Sequence, residues 1–63
     1  MLIDNKNRVW KEITYKQAEL IFYHSIFELF SFVNGEIEHL SRVSDLLLAF
    51  EEKQKIVIKV GCL

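Results

Sequence analysis

The chain has 63 residues, 51% of them hydrophobic and 13% aromatic, with a formal net charge of −1. That length excludes more than one domain, so residues 1–63 are read as a single unit, and folding hides only about 60% of the surface such a chain exposes when unfolded. A pI near 6.1 separates it from the basic domains, above about 9, that hold nucleic acid by charge.

A domain this small usually needs a disulfide, a metal or a partner subunit to hold its fold. Cys62 is the only cysteine, so no disulfide can form within the chain. Trp10, Tyr15, Tyr23 and five phenylalanines are a heavy apolar load for so little volume. Large side chains left uncovered mark interaction surfaces. Charge is unevenly spread. Lys6, Arg8, Lys11 and Lys16 lie near the start, and Lys53, Lys55 and Lys59 near the end. Between them only Arg42 stands against Glu19, Glu28, Glu36, Glu38, Asp45, Glu51 and Glu52. The polar opening MLIDNKNRV predicts no export signal, and no apolar run approaches the ~20 residues of a membrane-spanning helix. A cytoplasmic location is therefore expected.

In chain order, residues 1–7 read as a loose or edge segment. Residues 8–13 predict a short strand, with Val9, Lys11 and Ile13 on one side. Thr14-Tyr15-Lys16-Gln17 is a capping-box pattern that opens a helix over about 15–24, with Ala18, Ile21 and Phe22 as its apolar side. Residues 26–33 are aromatic and β-branched, and Asn34-Gly35 supplies the two positive-φ positions of a type I′ turn. A hairpin over about 26–40 follows. It pairs Val33 with Glu36, Phe32 with Ile37, Ser31 with Glu38, and Phe30 with His39. Its expected core face carries Ile26, Phe30, Phe32 and Ile37; Ser31, Glu36 and Glu38 form a wetter face. Val43, Leu46, Leu47 and Phe50 make one stripe of a second helix over about 42–53, capped by Ser41 or Ser44 with Asp45 in the first turn. Lys55–Val60 alternates as a C-terminal strand over 55–60 that Gly61 closes.

These elements predict an α+β fold: a small antiparallel sheet with two short helices on one face. A competing arrangement reads residues 18–33 and 37–50 as two long helices meeting at Asn34-Gly35, with a terminal strand. The hairpin is preferred because Phe27 and Phe32 would load the polar side of the first helix with aromatics.

The spacing of His24, His39, Cys62 and the carboxylates matches no metal motif, and no cofactor is expected. His39 reads as a strand residue beside Phe30, and His24 as a helix C-terminus. Ser25, Ser31, Ser41 and Ser44 lack a nucleophile context. Glu36/Glu38 and Glu51/Glu52 are pairs with no cleft around them, so the chain is not expected to be an enzyme. Lys6, Arg8, Trp10 and Lys11 interleave base-stacking and phosphate-binding types, which is the alternative reading of a small nucleic-acid-binding regulator. Protein binding is the leading expectation, through Trp10, Phe27, Leu29, Leu40 and Phe50. Phe27, Leu29 and Leu40 would lie opposite the hairpin's core face and need a cover of their own. The expected protein is a non-catalytic interaction module, a homodimer that inhibits or adapts a larger protein, of a type mobile elements such as phages encode.

Overall fold

The computed structural model describes residues 1–24 and 27–60. Ile26, Gly61 and Cys62, to which the sequence assigned a core position, a strand end and a lone thiol, lie outside the described residues. The elements in order are β1 (Leu2–Ile3), β2 (Val9–Ile13), α1 (Tyr15–His24), β3 (Phe30–Val33), β4 (Glu36–His39), α2 (Val43–Glu51) and β5 (Lys55–Lys59). They form a curled, five-stranded sheet in the order β1-β2-β5-β3-β4, every neighbouring pair antiparallel, with both helices packed on one face. The fold is α+β, as the element pattern predicts.

The central hairpin has the register expected from its turn: Val33 opposite Glu36, Phe32 opposite Ile37, Ser31 opposite Glu38 and Phe30 opposite His39. Asn34 and Gly35 adopt φ of 53° and 82°, the double left-handed conformation of a type I′ turn. The two-long-helix arrangement is thereby excluded. β3 begins at Phe30 rather than near residue 26, because Phe27, Glu28 and Leu29 form a non-regular lead-in.

α1 opens on the reciprocal bonds of a capping box. The Gln17 amide donates to Thr14 Oγ1 at 3.1 Å, and the Thr14 amide donates to Gln17 Oε1 at 3.0 Å. α2 is capped otherwise than expected. Its N-cap is Arg42, in extended conformation, and neither Ser41 nor Ser44 caps it. The Asp45 carboxylate reaches back to accept the Arg42 amide at 3.2 Å, so the acid satisfies the end a serine was expected to serve. At the other end Lys53 turns to φ 55°, and the Lys53 and Gln54 amides donate to Phe50 O and Ala49 O at 3.1 and 2.9 Å. This Schellman closure ends α2 at Glu51 rather than at 53.

Cross-strand partners define the faces. Ile13, Ile56, Ser31 and Glu38 form one row across the sheet, and Glu12, Val57, Phe30 and His39 form the row on the opposite side. The helices cover the first side, where Ile13, Ala18, Leu29, Leu40, Leu46, Ala49 and Ile56 form the core and Ile21, Phe22, Phe50 and Ile58 pack around it. This inverts the face assigned to the hairpin from sequence. Leu29 and Leu40 sit one residue outside β3 and β4, joined by the Leu40 amide donating to Leu29 O at 2.9 Å. With Ile13 and Ile56 they make an apolar floor across four strands, and the helices settle on that floor.

The aromatic side is covered by the sheet itself. Trp10 packs edge-on against Phe30 with ring centroids 4.9 Å apart. The tip of the β1–β2 hairpin meets the β3–β4 turn, where the Asn5 amide donates to Gly35 O at 3.0 Å. The central strand is therefore enclosed from both sides, and the consecutive residues Ile56 and Val57 are both 0% exposed.

Candidate protein interface

The segment read as loose or edge is an edge hairpin, with β1 at the margin of the sheet, and it is organised by one side chain. Asp4 is buried and its carboxylate accepts four hydrogen bonds: from the Lys6 and Arg8 amides at 2.8 and 2.9 Å, from Arg8 Nε at 2.8 Å, and from Trp10 Nε1 at 2.9 Å. Burial acts to raise the Asp4 pKa. The donors outweigh it and hold the carboxyl well below the usual carboxylate range. The signal in the sequence was Asp4-Asn5-Lys6-Asn7, a run of turn-forming residues between Leu2-Ile3 and Arg8-Val9-Trp10, with Asn7 at a positive φ of 61°.

This network changes the standing of the basic segment. Trp10 is buried, its indole N–H is committed to Asp4, and the Arg8 guanidinium lies 5.7 Å from the ring centroid. Base stacking on Trp10 would require the hairpin to open. Lys6 and Lys11 remain exposed, but without an aromatic platform between them.

The residues expected to bind a protein are dispersed. Leu29 and Leu40 are core residues beneath the helices, and Trp10 is enclosed on the opposite side, so these three are buried, Leu40 reaching solvent only at the edge of a cleft. Their burial follows from the inverted hairpin face and the curl of the sheet. Phe27 is 40% exposed and edges a small groove with Glu28, Phe30, Ile58 and Lys59. Phe50 is half-buried, with the Tyr15 ring 4.8 Å away and the Tyr15 hydroxyl donating to Gln54 O at 2.9 Å.

Exposed apolar side chains lie at the N-terminal edge of the sheet, on Met1, Ile3 and Val9, and on the helices. Leu20 and Tyr23 on α1, and Leu47 and Leu48 on α2, are each more than half exposed, with Val43 beside Leu47 at helical spacing. A solvent-facing helix surface normally carries charge at such positions. Here Lys16 stands at the start of the α1 surface and Glu51 at the end of the α2 surface. The sequence contained this signal in the run Leu46-Leu47-Leu48, too dense for one buried stripe.

A polar cleft of about 250 Å³ runs between β4 and α2, walled by Glu38, Asp45 and Glu52 and lined within by Leu40, Leu48 and Ala49. Ser31, Glu38 and Gln54 continue it into a wider groove of about 580 Å³ that ends at Lys6 and Arg8 of the N-terminal hairpin. His39 lies on β4 with its ring 5.1 Å from Phe30 and Nε2 3.8 Å from a Glu28 carboxylate oxygen. Among the described residues, no three histidine, cysteine or acidic side chains gather as metal ligands, and no helix is long and apolar enough to cross a membrane.

The fold and surface define a small α+β domain with a five-stranded antiparallel curled sheet and an apolar helical exterior. No protein family, curated protein or solved structure matches the chain.

Proposed function

We propose that this chain is a non-catalytic protein-interaction module that pairs with a second copy of itself through the outer faces of α1 and α2, and that the pair acts as an inhibitor or adaptor on a larger protein. The observation that carries the reading is the outward apolar surface of Leu20, Tyr23, Leu47 and Leu48, each more than half exposed. A two-fold axis makes an interface self-complementary. Antiparallel packing of α1 on α2 of the second copy buries these side chains and brings Lys16 toward Glu51, opposite charges at opposite helix ends. Removing such a surface from water also supplies the stabilisation that a 63-residue core lacks.

Light scattering coupled to size-exclusion chromatography tests this. The wild-type chain is expected at twice its 7.5 kDa mass, and Leu47→Glu and Leu48→Glu at the single-chain mass with an unchanged circular dichroism spectrum. A wild-type chain that elutes as a monomer, or glutamate variants that still elute as dimers, would refute the pairing.

A further inference from the structure

Ser31 is a polar residue in the row that forms the core floor, between Ile56 and Glu38, and it is 2% exposed. Its hydroxyl makes no hydrogen bond with another described residue. The hydroxyl is not sealed off, since no side-chain oxygen or nitrogen among the described residues is both fully buried and unpaired. What surface Ser31 retains opens into the cleft between β4 and α2 and its continuation along the hairpin.

The surroundings specify what would fit. Glu38, Asp45 and Glu52 stand around the cleft. Asp45 already accepts the Arg42 amide, and one Glu52 oxygen accepts Gln54 Nε2 at 2.8 Å. Glu38 forms no ion pair or side-chain hydrogen bond with a described residue, and Glu36 adds a further carboxylate on the same face of β4. Leu40, Leu48 and Ala49 give the interior an apolar wall. The basic groups of the groove, Lys6 and Arg8, lie at its far end, and Arg8 is neutralised by Asp4. The cleft thus brings together an apolar wall, the Ser31 hydroxyl and three carboxylates, with His39 and Gln54 completing its lining.

We infer that this cleft receives an arginine side chain from an extended segment of the larger protein that the module binds. The inference rests on the interaction reading above, and its cleft meets the self-pairing surface only at Leu48, which lines both. The arginine methylenes pack on Leu48 and Ala49, as long basic side chains commonly cover apolar surface. The guanidinium is planar with five donors, which suits several carboxylates and a hydroxyl at once, and it fits this arrangement better than the point charge of lysine.

The test is a nuclear magnetic resonance titration of the isotope-labelled full chain with a blocked Gly-Arg-Gly peptide, and with its citrulline counterpart, which keeps the shape and removes the charge. Saturable shifts confined to Ser31, Glu38, Ala49 and Glu52, absent with the citrulline peptide, are expected. Glu38→Gln, an exposed substitution, is expected to weaken binding by about tenfold, in keeping with the loss of one charge-assisted hydrogen bond. Ser31→Ala is expected to weaken it less while leaving the spectrum otherwise native. Shifts spread over all surface carboxylates, equal response to both peptides, or no saturable response would overturn the assignment. The mass of the unliganded chain reports the helix-mediated pairing separately, so either reading can fail alone.

Discussion

Leu29→Ala is the substitution that most directly tests which side of the hairpin the helices cover. Leu29 is 2% exposed and belongs to the cluster formed with Ala18, Leu46 and Ala49 of the helices. Truncating a buried leucine costs about 2–5 kcal/mol, the lost transfer energy plus the cavity left behind. A domain of this length has a total stability of only about 3–9 kcal/mol, so a central cost of ~3 kcal/mol removes a third of it or more. The control is Val33→Ala. Val33 lies on the same face of the hairpin but is 39% exposed, past the reach of the helices, and its truncation is expected to cost within about 0.5 kcal/mol. The assay is urea unfolding followed by the fluorescence of Trp10, the only tryptophan, at one fixed protein concentration because pairing would couple stability to concentration. With a slope of about 1 kcal/mol per molar urea for a small chain, Leu29→Ala should lower the midpoint by about 2 M or more. If Leu29→Ala costs no more than Val33→Ala, the helices do not rest on the Leu29–Leu40 floor and the face assignment is refuted.

Two further outcomes follow from the N-terminal hairpin. Because the folded state holds the Asp4 carboxyl below its ordinary value, ~3.9 in an unfolded chain, its stabilisation is fully present above that value and is lost as pH falls through the lower folded one. Urea midpoints measured from pH 7 downward should therefore decline below about pH 4, and Asp4→Asn should flatten that decline; an identical acid limb in the variant would show that other carboxylates control it. Gly35→Ala should cost about 1–2 kcal/mol for its positive φ, and more because the added Cβ runs into the Asn5 side-chain amide. Adding Asn5→Gly should recover only the contact share in a thermal melt, and complete recovery would mean that the turn conformation carries no strain.

Much of the local structure was legible because it depends on neighbours in the chain. Thr14 and Gln17 fix the start of α1 by bonds three residues apart, and Asn34-Gly35 fixes both turn type and register of the hairpin. The site was far less legible. Phe30, Phe32 and Ile37 looked like core, and Leu29 and Leu40 like surface, because a hairpin with apolar residues on both faces does not say which one its helices will take. Trp10 looked available to a partner because nothing in a sequence states that Asp4, six residues earlier, will claim its indole N–H.

By itself, then, the sequence determined the α+β class, the start of α1, the turn and the pairing of the central hairpin, all consequences of short-range hydrogen bonding and backbone preference. Only the tertiary structure decided that β5 lies between β2 and β3, that the helices rest on the Leu29–Leu40 side, and that the tips of the two hairpins meet at Asn5 and Gly35. Those choices depend on apolar area summed across strands distant in sequence. They also decide what is left outside: the leucines of the helices and the acidic cleft over Ser31.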